Sequence, residues 1–280
     1  MKFFKGRTVL VASMHGKEAV IAPLLEKELG LKCITNTEFN TDLFGTFSGE
    51  IERTLSPLET LRNKCLVGME SLQCDLGIAT EGSFGPHPFL HIVPAHEEII
   101  LLIDSKNKLE IIAKTMVTET NFLGREIFSE QDMIEFMDAV QFPSHGIILK
   151  DKASNFQVVY KDAESSDELL FHFHSYQQKF GSVHVETDMR AMRNPTRMKI
   201  IEKVCQELIY KIENTCPSCQ TPGFDVIDCI TGLPCSLCQM PTSSILANLF
   251  ACQKCQFVQQ MKRKDGREFE EPTYCSFCNP

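Results

Sequence analysis

No stretch of this 280-residue chain approaches the ~18 consecutive apolar residues that a membrane helix needs, so no transmembrane segment is expected. The opening run from Met1 to Arg7 holds neither the apolar core nor the small-residue cleavage site of a secretory leader, and a cytoplasmic, reducing setting is expected. Neither a GxxxxGKS/T phosphate loop nor a GxGxxG fingerprint occurs, which removes the commonest ATPase and dinucleotide-binding readings. Cations are in short supply: 28 Lys and Arg stand against 37 Asp and Glu, for a net charge of −9. A surface broadly given to the nucleic-acid backbone is therefore disfavoured, since that affinity comes from clustered Lys and Arg. Ser144-His145 has no acid fixed near it by spacing, so a Ser-His-acid triad is not read here.

What the chain does have is cysteine in a pattern. Nine of its 13 cysteines lie beyond residue 215, and eight of them form Cys-x-x-Cys pairs: Cys216/Cys219, Cys235/Cys238, Cys252/Cys255 and Cys275/Cys278. Two thiolates spaced by two residues grip one metal ion from a single tight turn, and two such turns complete a tetrahedral site. In a reducing compartment a disulfide framework is disfavoured. Two structural Zn²⁺ sites are expected, zinc standing ahead of an iron–sulfur cluster, which the same ligand set suits. Four thiolates leave no open position for water, so these sites are scaffold rather than reaction centre.

The intervals between pairs are 15, 13 and 19 residues. Each is long enough for a hairpin, and each half carries its own turn signal, Thr221-Pro222-Gly223 and Asp265-Gly266. Sequential pairing, first with second and third with fourth, is therefore expected, with cross-braced pairing as the competitor. Cys229 is left over and reads as a small buried apolar residue. The domain boundary falls near Asn214, giving an α/β body over 1–214 and a double zinc-ribbon module over 215–280.

The body alternates strand and helix signals. Thr8 to Ala12 is a β-branched run, followed by His15-Gly16-Lys17 and an amphipathic stretch from Glu18 to Leu29. Cys33 to Thr35 reads as a short strand and Asn40 to Arg53 as a polar loop. Ser56-Pro57-Leu58-Glu59 opens a helix running to about Leu72. Asp75 to Thr80 reads as a buried strand that ends in a Gly/Pro loop, Glu81 to Pro88, with a carboxylate at its tip, the way α/β proteins place functional groups at the carboxyl edge of a sheet. Strands follow at Phe89–Val93, Glu98–Ile103 and Leu109–Val117, two of them hairpin-connected, so the sheet is expected to be mixed. Helices are expected at Glu130–Val140, Asp167–Phe180 and Thr196–Ile212, and strands at Gly146–Leu149, Phe156–Tyr160 and Val183–Thr187. His172 and His174 fall on opposite sides of a helix and cannot share a metal there.

The segment from Val183 to Arg197 delivers Glu186, Asp188, Arg190, Arg193 and Arg197 around Asn194-Pro195-Thr196, a helix start. Helix-terminal amides and guanidinium forks together make an anion site, best matched by phosphate. Equally, the three arginines can pair with Glu186, Asp188 and Glu202 in an ordinary ionic network. His87 reads either as a proton donor or as a loop histidine satisfied by backbone.

The phrases Phe44-Gly45-Thr46-Phe47-Ser48-Gly49-Glu50, Thr80 to Pro88 and Glu186-Thr187-Asp188-Met189-Arg190 resemble those of a bacterial family of uncharacterised domains with C-terminal Cys-x-x-Cys pairs. More remotely, the order Ala12 to Lys17, Glu59-Thr60 with Asn63-Lys64, Ala79-Thr80-Glu81-Gly82, then Thr187-Asp188-Met189-Arg190 and Thr196-Arg197 is similar to the inosine/xanthosine triphosphate pyrophosphatase (Maf-like) superfamily. That resemblance implies a Mg²⁺-dependent house-cleaning nucleoside triphosphate pyrophosphatase, with Glu81 and Glu50 or Glu59 on Mg²⁺ or the attacking water, His87 as base-orienting group or proton donor, and Lys17, Arg190, Arg197, Thr187 and Thr196 at the phosphates. The superfamily's aspartate-rich motif is absent, a single acid, Glu81, standing in its place, and the cysteine tail is not a superfamily feature. The alternative is a non-enzymatic zinc-ribbon module that contacts nucleic acid or a protein partner through Lys262–Arg267, on a body that binds a nucleotide or other phosphate-bearing small molecule.

Overall fold

The structure, a computed structural model, describes residues 3–36, 55–151 and 159–280. Its first sheet is built from β1 (Thr8–Ala12), β2 (Lys32–Ile34), β3 (Leu76–Pro86), β4 (Pro94–Asp104) and β5 (Leu109–Val117) in the order β2-β1-β3-β4-β5. β1 runs parallel to β2 and β3, whereas β3, β4 and β5 form an antiparallel meander, so the sheet is mixed. Helices α1 (Glu18–Leu29) and α5 (Pro195–Glu213) cover one face, and α2 (Pro57–Ser71) covers the other.

Alternation along the strands decides what each face buries. Val9, Val11, Ile78, Ile100 and Leu102 pack against Ile21 and Leu25 of α1 and Ile201, Val204 and Leu208 of α5. Leu10, Ala79 and Leu101 face Leu61, Cys65 and Met69 of α2. Each fully buried Leu or Ile stabilises the fold by roughly 1.5–3 kcal/mol. Local signals set the helix ends: Ser56 and Glu59 close a reciprocal capping box on α2, α1 stops at Gly30 with φ 68°, and Asn194 caps α5 ahead of Pro195.

Two expectations are corrected. The Gly/Pro loop expected from Glu81 is strand: β3 continues through Gly82 and Gly85 to Pro86, paired residue by residue with β4. Gly82 serves close approach rather than turning, since a Cβ there would stand 2.4 Å from Arg197 Nη2 and 2.5 Å from Glu98 Oε2. The strand expected at Phe89–Val93 is the tip of the β3–β4 hairpin.

The body also holds a second sheet where one was expected. β6 (Gly124–Ile127), β7 (Ile147–Lys150), β8 (Val159–Tyr160) and β9 (Val183–Thr187) pair antiparallel in the order β6-β9-β7-β8. They bury Ile147, Leu149, Val183 and Val185 against α3 (Glu130–Val140) and α4 (Ser166–Phe180). The loop expected at Asn40–Arg53 lies outside the described residues. Among the described residues, no helix is long and apolar enough to cross a membrane.

The C-terminal module is a three-stranded antiparallel sheet of β10 (Asp225–Thr231), β11 (Ile245–Ala251) and β12 (Val258–Lys262). Here the pairing expectation fails. The intervals between cysteine pairs are occupied by single strands rather than hairpins, so successive knuckles lie at opposite ends of the sheet. β10 has 7 residues, which at ~3.3 Å each span about 23 Å, too far for its two flanking knuckles to share an ion. The pairs are cross-braced: Cys216, Cys219, Cys252 and Cys255 gather at one end, Cys235, Cys238, Cys275 and Cys278 at the other. Cys229 is exposed on β10, not buried.

Candidate metal centres and a buried ionic cluster

In each group the four sulfurs lie within 4.8 Å of one another. Between knuckles, Cys216 and Cys255 Sγ are 3.7 Å apart, Cys219 and Cys252 3.6 Å, Cys235 and Cys278 3.8 Å, and Cys238 and Cys275 3.6 Å. A tetrahedron with metal–sulfur bonds of about 2.3 Å has an edge near 3.8 Å, so the thiols already stand at the spacing of a Zn–S₄ site.

The knuckles repeat one backbone design. The amides of Gln220, Gln239, Gln256 and Asn279 bond back to the carbonyls of Cys216, Cys235, Cys252 and Cys275 at 2.8–3.1 Å. All three glutamines adopt positive φ, 60–63°, which turns the chain tightly enough to bring both sulfurs to one side. The Leu237 amide donates to Cys235 Sγ and the Lys254 amide to Cys252 Sγ, each at 3.4 Å, the kind of support that orients a ligand and offsets thiolate charge. The Thr221 hydroxyl beside Cys219 Sγ pulls that thiol down to about 6.

The module is fastened to the body through its first metal group. The Gln253 side-chain amide, inside the third knuckle, bonds both backbone groups of Glu110, accepting from its N–H at 3.1 Å and donating to its carbonyl at 2.6 Å. It thereby acts as a neighbour for the edge strand β5. Gly223 packs on Ile111, Lys211 pairs with Asp225 at 2.6 Å, and Lys264 reaches the Tyr210 hydroxyl at 2.7 Å. The Lys262–Arg267 turn is largely satisfied from within: Arg263 is held by Asp265 and Arg267 by Glu270.

A second constellation lies beyond the carboxyl end of β1. The β1–α1 turn passes through positive φ at His15 and Gly16, 67° and 78°, and so carries Lys17 back over the sheet. Lys17 Nζ bonds Thr80 Oγ1 at 2.8 Å and Glu98 Oε1 at 3.2 Å. Glu98, fully buried on β4, also accepts from Thr80 Oγ1 at 2.8 Å and from Arg197 Nε at 3.1 Å and Nη2 at 3.2 Å, and meets His96 Nε2 at 2.8 Å. Arg197 Nη1 donates to the Met189 carbonyl, and the Phe84 ring lies under the guanidinium and stacks on His96. On the α2 face of the same strands, Lys64 Nζ is 2.6 Å from Glu81 Oε2, both buried.

Burial lowers the Lys17 pKa to about 8, with Glu98 and Glu81 opposing the drop and Arg197 and Lys64 adding to it. Burial also works to raise the pKa of Glu98. The Arg197 and Lys17 charges and the His96 hydrogen bond outweigh it and hold the carboxyl well below the ordinary range. Among the described residues, Lys17 and Arg197 thus face Glu98 and Lys64 faces Glu81 where the parallel β1–β3 pairing ends, a formal excess of one positive charge.

Of the described residues expected to work together, the structure brings Lys17, Arg197 and Glu81 to this region and gives the others different partners. Glu59 is spent on the α2 cap, taking the Ser56 amide at 3.1 Å and hydroxyl at 2.6 Å. Arg190 is clamped by Asp188, with Nη2–Oδ2 at 2.6 Å, and by Asp162. The Thr187 hydroxyl joins the backbone of Leu123, and that of Thr196 joins His145 Nε2 at 2.9 Å. His87 Nδ1 accepts the Phe89 and Leu90 amides at the hairpin tip. Glu50 lies outside the described residues.

Glu98 was missed. Ala95-His96-Glu97-Glu98 reads as a polar lead-in to a strand, but His96, Glu98 and Ile100 share one face by alternation. Two ionisable residues on the face that then buries Ile100 and Leu102 were the available signal.

Fold and sites together define an α/β protein with a mixed sheet flanked by helices and a C-terminal module carrying two four-cysteine groups able to hold metal ions. The chain belongs to the family described as "Domain of unknown function (DUF6671)", whose profile matches residues 64–280. No curated protein matches it in sequence.

Proposed function

We propose that the α/β body binds a phosphate-bearing small molecule beyond the carboxyl end of β1, beside the middle of β3, and that two structural Zn²⁺ ions hold the C-terminal module in shape against it. The observation that carries the ligand reading is the excess of buried positive charge: Lys17, Lys64 and Arg197 around Glu98 and Glu81. An anion entering there meets preorganised donors in a site of low dielectric, where each is worth more than in water. The position agrees with the rule that open α/β sheets bind ligands beyond the carboxyl ends of their strands. Zinc is favoured by the all-thiolate donor set and the sulfur spacing. A calorimetric panel of inorganic phosphate, pyrophosphate and nucleoside mono-, di- and triphosphates tests the reading; heat from at least one member, lost in Lys17→Met, supports it, and silence across the panel rejects it.

A second reading makes the same site a Mg²⁺-dependent nucleoside triphosphate pyrophosphatase of the house-cleaning, Maf-like kind. It is favoured by Glu81 and Glu98 both acting on Lys17 from the two faces of the sheet. In this reading one carboxylate would hold Mg²⁺ or the attacking water, with Lys17 and Arg197 offsetting phosphate charge. Pyrophosphate release from a triphosphate panel with Mg²⁺, abolished by Glu81→Gln, is the expected result; binding without turnover leaves the first reading standing and removes this one.

A further inference from the structure

The two metal groups differ in what their knuckles present to solvent. Around the first, the residues between cysteines are Pro217, Ser218, Gln253 and Lys254, and Gln253 is committed to β5. Around the second, Leu237 is 71 % exposed, Phe277 61 % and neighbouring Tyr274 64 %. Large apolar side chains exposed at both knuckles of one group mark a surface that gains by being covered.

A hollow of about 360 Å³ opens at the same end, just before the Cys235 knuckle. Leu233, Leu246 and Phe269 give it apolar walls, while Lys262, Arg263 and Arg267 stand against the single carboxylate Glu268. With Asp265 and Glu270 counted beside the two arginines, the rim carries no net charge. Arg263 and Arg267 are already held by Asp265 and Glu270, and Lys262 makes no ion pair with any described residue. A nucleic-acid strand needs several unpaired cations in a row. One open lysine, two shielded arginines and an apolar floor suit a peptide carboxylate beside an apolar side chain instead. β12, whose last residue lines the hollow, is an edge strand, so an extended segment can add to it.

From these features we infer that the second metal group and the β12 edge form a docking surface for a protein partner, which enters as a short extended segment carrying a large apolar residue flanked by Asp or Glu. The apolar residue fills the hollow, a carboxylate meets Lys262, and Leu237 and Phe277 cover the flank. This surface is separate from the phosphate site, and its test does not depend on that reading.

The experiment is a titration of zinc-loaded, ¹⁵N-labelled full chain with capped peptides carrying Phe, Leu or Ile between pairs of Asp/Glu. Controls are the same peptides with Ala at the anchor, the same with Lys for the acids, and a short oligothymidylate. At least one acidic apolar peptide is expected to bind with a Kd on the order of 0.1 mM, shifting the amides of Leu246 and of 262–269, and Lys262→Glu to weaken it about tenfold. Zinc content and the melting curve of that variant should match wild type, because Lys262 is exposed. The inference is overturned by no binding of any acidic peptide, by equal binding of the lysine or alanine controls, by tighter binding of the oligothymidylate, or by self-association that already covers the surface.

Discussion

Arg197 lies along Glu98 as a two-pronged clamp, Nε 3.1 Å from Oε2 and Nη2 3.2 Å from Oε1, joining the start of α5 to the middle of β4. Glu98 is fully buried, so losing its partner leaves an uncompensated charge in the interior. Arg197→Met is therefore expected to destabilise the protein by about 3–5 kcal/mol, read from urea unfolding, and Glu98→Gln in the same background to recover part of it. A cost under about 1 kcal/mol, as for a surface pair, would show that the clamp is not what orders this region.

Cross-bracing of the cysteines makes a prediction that sequential pairing reverses. Cys216→Ser with Cys255→Ser should remove one zinc per chain, and Cys216→Ser with Cys235→Ser should remove both, because those two thiols belong to different groups. Metal analysis of the purified variants reads this directly. Chelation of wild type should unfold the module, since such sites supply on the order of 10–16 kcal/mol.

Glu59 separates a capping role from a chemical one. As a cap it is exposed, and Ser56 binds its carboxyl and holds it below the ordinary range. Glu59→Ala should lower the urea midpoint only slightly and leave ligand affinity unchanged. A tenfold or greater loss of affinity in a variant of near-normal stability would return Glu59 to the site.

The Lys17 ammonium sets a pH limit on anion binding. Its pKa, lowered by burial to about 8, means the cation is present below that value and lost as pH rises through it. Affinity for sulfate, whose charge is constant over this range, should fall between pH 7 and 9. In the ligand-free protein the same shift has the opposite sign for folding: from about 8 up to the ordinary 10.5 the unfolded chain holds more protons, so stability rises with pH there.

The sequence showed most clearly what local chemistry determines. The Ser56–Glu59 box, the Asn194 and Pro195 start of α5, and the turn after β1 are written in neighbouring residues, as are the eight thiols able to hold metal. What it hid depends on distance in the chain. Which knuckles share an ion follows from the length and direction of β10 and β11, not from the turn residues between them. Gly82 and Gly85 look like loop formers, yet Gly82 is small because Arg197 and Glu98 meet above it. Arg190 and Arg197 are equivalent by type, and only the fold gives one to Asp188 and the other to Glu98.

The excess buried charge around Glu98 is proposed to receive an anion. Isothermal titration of pyrophosphate into wild type and Lys17→Met at pH 7, each first shown by circular dichroism to be folded, tests it most directly. Saturable binding to wild type is expected, with at least about tenfold weaker binding to the variant, the loss of roughly 1.4 kcal/mol or more. Absence of binding to wild type, or equal affinity in the two proteins, would contradict it.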